Sequence, residues 1–476
     1  MRAPLRPPGW RLPAGIVHAG NRCAGCDSKS CRAIEMKLWF GLRPRDVLTL
    51  MLSLAFLTLA SVPHTVALRY VLLLLMLSLG LPALRTLDKR LYPPLFALGL
   101  FLTYAILQAY FLSGWLERSW SEIQSQLLVG ALWCVAGMLL FSRRLPLSIL
   151  EAVILSGVAL STAELGHAIY QHWLTGSWPY METFTTETKL ELTFYLNAVL
   201  AFLATALCFG GAWRQRWLLR PSVLLLCIGL LVQVSLFAGA RNGMIGMVYL
   251  SLSMLIVYLL FSKHKLSGPK VLLTGLSVIL VVGGVAGYSY KKDPRNQVFV
   301  VSAKAGWNYT ESQAWLRRGP LPKRTDGVQV DGSAYERIAW IHSGLDLIIE
   351  RPLGYGFSRD AFSRALTEVG YPNGVGHSHS GFIDWGISLG VPGIFLWLCV
   401  AVVFIHFGCR AFVQENEILG LVLILLTTGY LGRMLIESVN KDHMLQLFLF
   451  MAGALMAEIC TRSVQRAASP VQKIDE

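Results

Sequence analysis

Apolar runs of roughly 17–25 residues, the length that crosses a hydrocarbon core, recur along most of this chain. About twelve can be delimited: 47–63, 66–84, 95–113, 124–142, 146–166, 190–210, 221–238, 243–262, 270–289, 382–405, 417–435 and 443–460. Most polar breaks between them are short. The exception runs from about Lys291 to Gly381. The pattern predicts an all-α polytopic membrane protein of about twelve transmembrane helices, with one large helical loop between spans 9 and 10. In outline, 1–45 is a basic arm, 46–290 holds spans 1–9, 291–381 is the loop, 382–460 holds spans 10–12 and 461–476 is a tail.

Inside the loop the periodicity changes. Lys291 to Thr325 is mixed and basic, with Trp307, Tyr309 and Trp315 placed to lie at a membrane interface. Ser333-Ala334-Tyr335-Glu336 reads as a capping box opening a helix to about Glu350, with Ile338, Ile341, Leu345 and Ile348 as its apolar face. That helix stops before Arg351-Pro352 and the turn Gly354-Tyr355-Gly356. A second short helix spans about Asp360 to Val369.

Charge gives an orientation. Arg and Lys crowd the N-terminal arm and alternate connections: Arg85/Lys89/Arg90, Arg143/Arg144, Arg214/Arg216/Arg220, Lys263/Lys265/Lys270 and Arg410. The intervening connections are poor in them, which predicts cytoplasmic termini and an outward-facing long loop. The net charge of +14 follows from this bias and from attraction to anionic headgroups. Scattered over short membrane loops, the basic residues form no nucleic-acid surface. The first apolar run begins too late, and is too long, for a cleavable signal, so the first span is expected to serve as an uncleaved insertion signal. Cys23, Cys26 and Cys31 with His18 admit a zinc site. The arm nevertheless lacks hydrophobic periodicity, so disorder or a start assigned upstream is the better reading. The other six cysteines lie in or beside apolar segments as small hydrophobes, and none falls in the long loop.

Candidate chemistry gathers at the loop. His379 stands where the loop re-enters an apolar segment, a water–membrane boundary at which an imidazole can exchange protons. His377 would point the same way on an extended backbone, which admits a metal site, although nearby carboxylates are few. Arg241 sits at a tight turn between two spans, where its fork can reach a phosphate or simply snorkel. Arg337, in the first turn of the loop helix, can hold an anion with that helix terminus or stay exposed. Glu151 and Glu164 within an apolar run invite a proton-coupled transporter, but no matching repeat is visible, so satisfied bundle residues are expected.

From His379-Ser380, nine residues and then Gly390-Val391-Pro392-Gly393, the sequence resembles the O-antigen ligase family and its superfamily of bacterial polysaccharide ligases and polymerases. Arg241 at an outer turn, Arg337 on a loop helix, Pro352 and the Gly354-Tyr355-Gly356 turn extend the resemblance from about residue 45 onward. The turn reads Phe-Ala-Gly-Ala-Arg where Ser-Arg is frequent in the superfamily. The resemblance implies a metal-independent, cofactor-free, inverting glycosyltransferase of the inner membrane. Its donor would be an undecaprenyl-diphosphate-linked glycan and, in the ligase branch, its acceptor a lipid A–core sugar. By the same resemblance His379 is the catalytic residue and Arg241 and Arg337 bind the donor diphosphate, with His377, Ser380, Gly390 and Gly393 as secondary candidates. Histidine's ordinary pKa near 6.5 suits a base for the acceptor hydroxyl, and fixed arginines can stabilise a leaving diphosphate. A polymerase or protein-glycosylating branch shares these residues. A flippase would explain the spans without needing the histidine corner.

Overall fold

The computed structural model describes residues 43–261, 298–323 and 327–468, together with positions 276, 280, 283, 284, 287, 288, 290 and 291. Among them the chain is helical, with one isolated bridge between Lys323 and Gln329. After α1 (Pro44–Leu59) come α2 (Val66–Thr86), α3 (Lys89–Leu112), α4 (Leu116–Phe141), α5 (Ile149–Thr175), α6 (Lys189–Phe209), α7 (Pro221–Ala238) and α8 (Arg241–Phe261). The loop carries α9 (Phe299–Trp307), α10 (Gly332–Glu350) and α11 (Ala361–Glu368). The chain then returns through α12 (Gly381–Gln414), α13 (Ile418–Ile436) and α14 (Asp442–Ala467).

Ten of these helices are long and apolar enough to cross a membrane, and each matches an expected span. The first expected span is shorter than foreseen: α1 has 16 residues and ends before a turn in which His64 takes φ 63° after Pro63. Most of the span expected at 270–289 lies outside the described residues, as do the arm 1–42 with its cysteines and the tail from 469.

The bundle is built around α14, which is buried along nearly its whole length. It packs on α4 through reciprocal glycines. A Cβ on Gly137 would stand 2.4 Å from the Phe450 carbonyl, and one on Gly453 would stand 2.2 Å from that of Cys134. Only glycine lets two backbones approach so closely in lipid, where dispersion replaces the hydrophobic effect as the packing force. Glu151 and Glu164 are satisfied, as expected. Glu151 closes a capping box with Ser148 and pairs with Arg216, while Glu164 accepts bonds from Phe184, Thr185 and the Thr185 hydroxyl.

The loop has its own core of Trp315, Tyr335, Trp340, Leu347, Tyr355 and Phe362, closed from below by Ile383 and Ile387 of α12. Here three expectations need correction. Asp331, not Ser333, caps α10, accepting from the Ala334 amide at 3.2 Å and from the Arg241 guanidinium. The buried face of α10 is Tyr335, Ala339, Trp340, Ser343 and Leu347 with Ile348, while Leu345 is exposed. The loop packs aromatics inward, so of the expected face only Ile348, with Ile341 beside it, meets the core. Trp315 is buried beneath Trp340, whose indole N–H bonds its carbonyl at 2.7 Å, rather than lying at an interface.

Candidate functional site

Four elements converge beside His379: the starts of α8, α10 and α12, and the connection after α13. His379 precedes α12 with φ 57°, a left-handed conformation that costs a non-glycine residue on the order of 1–3 kcal/mol. The surroundings fix it there. Buried Asp384, one turn into α12, accepts from the Ser378 amide (2.9 Å) and hydroxyl (2.7 Å) and from the Ser438 hydroxyl. The Gly381 amide donates to the Glu437 carbonyl at 3.1 Å, tying this corner to the next. The indole of Trp340 stacks on the imidazole at 5.4 Å.

So held, His379 places Nδ1 2.9 Å from Oε1 of buried Glu437. Burial raises the Glu437 carboxyl, but the His379 hydrogen bond and the charges of His379, Arg337 and Arg433 outweigh it and hold it down to about 2. An ionised carboxylate only accepts, so Nδ1 carries a proton and Nε2 is the ring nitrogen left to meet a substrate. This is the orientation of a base backed by a carboxylate. Glu437 also accepts from Asn242 at 3.0 Å and pairs with Arg337 at 3.6 Å. Arg337 and Asn242 both donate to the Ile436 carbonyl, at 3.2 and 3.1 Å.

Arg241 reaches the first turn of the same loop helix, 3.2 Å from Asp331 and 3.5 Å from the Ser333 hydroxyl. Arg337 lies one turn further along, a rise of about 6 Å. The two arginines, far apart in sequence, therefore meet at the N-terminal end of α10, and Arg337 shares Glu437 with His379.

An apolar cavity of about 320 Å³ opens between α6, α8 and α13. Its lining includes Phe194, Ala198, Tyr249 and Leu425, and Asn242, Arg433 and Ile436 bring it to the His379 corner. Arg433 is buried. One of its nitrogens bonds the Leu190 carbonyl and the Thr193 hydroxyl at 3.0 Å each, while Nε and Nη1 have no hydrogen-bond partner.

The other candidates fall elsewhere. His377 lies beside His379, ring centres 4.3 Å apart, although His379 itself is left-handed rather than extended as expected. Burial first, and Lys441 next, push His377 down to about 4, so it is neutral near pH 7. His377, His379 and Glu437 offer ligand atoms within 4.8 Å of one another and could hold a metal ion. The Arg337 guanidinium beside Glu437 already supplies the positive charge such an ion would bring. Ser380 is buried and donates to the Met434 carbonyl at 3.3 Å, so it positions the corner. Gly390 and Gly393 lie about 16 Å or more further along α12. Gly390 breaks that helix (φ 70°, ψ −175°), and the 352–356 turn plugs the break: the Tyr355 and Gly356 amides donate to the Ile387 and Ser388 carbonyls, and the Val391 amide to that of Pro352. A Cβ on Gly390 would meet the Pro352 carbonyl at 2.4 Å. The two glycine motifs are thus one joint fastening the loop to the bundle.

Residues 235–398 match a family model described as O-antigen ligase. The matched stretch contains Arg241, Arg337, His377, His379, Ser380, Gly390 and Gly393. The match supports the family that the sequence resembles, a superfamily of ligases and polymerases acting on lipid-linked glycans. No curated protein matches the chain.

Sequence reasoning missed Glu437, Asn242 and Arg433, and took Asp384 only as one of the few carboxylates near the two histidines. Arg433 had a signal: an arginine inside the apolar run 417–435 is a functional-site candidate by default. Glu437 had a weaker one, a carboxylate in a short connection. Nothing in the sequence alone could pair it with a histidine 58 residues away.

Proposed function

We propose that this chain is an O-antigen ligase of the inner membrane, transferring a glycan from undecaprenyl diphosphate to a lipid A–core sugar without a metal. The observation that carries the reading is the linked set His379–Glu437–Arg337 at the mouth of an apolar cavity. The cavity suits part of a polyprenyl tail, and Arg241 and Arg337 face the diphosphate, with Arg433 beneath them. Nε2 of His379 takes the proton from the acceptor hydroxyl as its oxygen bonds to the anomeric carbon. The bond from that carbon to the diphosphate oxygen breaks, and the leaving undecaprenyl diphosphate carries its charge onto the arginines. Attack opposite the leaving group inverts the anomeric centre. The arginine and lysine bias of the connections supports cytoplasmic termini and a periplasmic site.

A polymerase would use the same donor machinery. Deleting the gene and running the cell's lipopolysaccharide on a gel separates the two. Loss of the whole ladder with lipid-linked polymer accumulating is the expected result. A band carrying a single repeat would instead mark a polymerase, and an unchanged ladder would refute both.

A further inference from the structure

A second cavity, of about 200 Å³, lies on the other side of the residue 437–442 connection, between α2, α4, α14 and the loop. Its lining is charged and polar: Arg69, Glu122, Gln126, Arg359, Asp442 and Gln446, with Trp133 also on its wall. Asp442 is five residues past Glu437, so the cavity and the His379 corner stand no more than about 18 Å apart along this connection. Lys441, half-buried between them, interacts electrostatically with Asp384 and Glu437 on one side and with Arg359 and Glu122 on the other.

The groups are partly matched. Arg359 pairs with Asp442 and, at 3.7 Å, with Glu122; Arg69 donates to Gln446 at 3.2 Å, and Gln126 and Asp442 bond each other. In this lining Nε of Arg69 and the indole N–H of Trp133 have no hydrogen-bond partner, and Oε2 of Glu122 has only the Arg359 guanidinium at 3.7 Å. Trp133 is completely buried, stacked on Phe56 at 3.6 Å and edge-on to Phe450 at 5.9 Å, and neither ring accepts a conventional hydrogen bond from its N–H. A buried donor or acceptor left unmet costs about 1–3 kcal/mol. Such groups gathered in one cavity mark a place where something else completes the bonds.

The lining's chemistry describes that ligand. Glu122 already pairs with Arg118 at 3.0 Å and Asp442 with Arg359, so the cavity can take a neutral ligand with those pairs intact. It offers donors and acceptors side by side, which is what a vicinal diol needs, since each hydroxyl both gives and takes a hydrogen bond. The volume falls below the roughly 300–1,000 Å³ of sites for drug-sized ligands, and so suits about one sugar ring. We propose that this cavity is the acceptor subsite and holds one uncharged monosaccharide unit of the acceptor glycan, its hydroxyls bonded to Glu122, Arg69 and the Trp133 N–H. This rests on the glycosyl-transfer reading above. Donor and acceptor then approach His379 from opposite sides of one short connection.

The test uses the full chain in nanodiscs, undecaprenyl-diphosphate-linked glycan as donor and purified lipid A–core as acceptor. Arg69→Met and Trp133→Phe should each raise the acceptor KM at least tenfold and leave the donor KM within twofold. Trp133→Phe removes the pyrrole half of the indole with its N–H and keeps an aromatic ring against Phe56, and an unchanged donor KM in that variant reports that the fold is kept. Unchanged acceptor KM in both variants, or a donor KM that rises in step, overturns the subsite while leaving the transferase reading intact. Should the wild-type protein transfer to no acceptor, that reading fails instead. The subsite is then judged by saturation-transfer NMR with methyl glucoside, galactoside and N-acetylglucosaminide. Saturable binding of any of these that disappears in Trp133→Phe upholds it. Binding of none of the three, or binding that Trp133→Phe leaves unchanged, overturns it.

Discussion

The cavity between α6, α8 and α13 and the cavity between α2, α4 and α14 flank the same stretch, residues 436–442, yet their walls are opposite in character. The first is almost wholly apolar, with Asn242 and Arg433 set in its lining. The second is polar along most of its wall. A lipid tail has no hydrogen bonds to trade and is held by area. A sugar gives up many bonds to water and must have them replaced group by group. The connection between the cavities carries Glu437, so the group that orients His379 stands where the two solvents of this chemistry meet.

The sharpest way to break this picture is at the shared point. His379→Ala should lower turnover by roughly 10²–10⁴-fold, the usual worth of a general base, with donor affinity nearly unchanged. Near-normal turnover in a purified assay would remove His379 from the chemistry. His377→Ala should be far milder, because that ring lacks the carboxylate behind it. Next come the arginines. Lysine keeps the charge and loses the fork, so Arg241→Lys and Arg337→Lys should each cost about 10–100-fold in kcat, and less in donor affinity. If both grip one diphosphate, the double variant should lose less than the sum of the two single losses in free energy. Labelled-donor kinetics decide this, and strict additivity would place the two on separate sites.

Smaller effects separate the two sides. Filling the apolar cavity with Ala198→Trp should raise the donor KM about tenfold, since part of a well-buried chain is displaced, and leave the acceptor KM alone. An equal rise in both would mean that the cavities are not independent. Glu437 gives a pH signature. Its carboxyl is held at about 2 in the fold against about 4.3 in an unfolded chain, so its stabilising contribution is complete above 4.3 and is lost as pH falls toward 2. The gap in thermal stability between wild type and Glu437→Gln should therefore be present at pH 5 and close below about 4. Finally, EDTA should change nothing, because Arg337 already neutralises Glu437. An inactive chelated protein rescued by magnesium or manganese would restore the His377/His379 metal reading.

How far the sequence reaches differs between the two regions in the same way. Span positions are written locally, in runs of apolar residues, and ten of them could be placed from composition. The corner depends on meetings that no local pattern encodes. His379 and Arg337 were visible as residue types at boundaries, but Glu437, which joins them, was not. The polar cavity was invisible because its residues come from three helices and a loop. The misreading of α10 has the same origin: its isoleucines repeat at helical spacing, yet the loop had aromatic residues to bury and turned Trp340 inward instead.

Helix α1 has a consequence for the surrounding lipid. Its 16 residues reach about 24 Å, some 6 Å short of a typical hydrocarbon core of about 30 Å. It stands against the polar side of the bundle, Phe56 stacked on Trp133 and edge-on to Phe450. A bilayer meeting a helix this short thins to match it, at a cost of fractions of a kcal/mol per ångström. The thinning falls beside the cavity that would take the sugar and not beside the one that would take the tail. Hydrophobic mismatch would then bring headgroups deeper on the acceptor's side, making membrane thickness itself a partner in how the second substrate arrives.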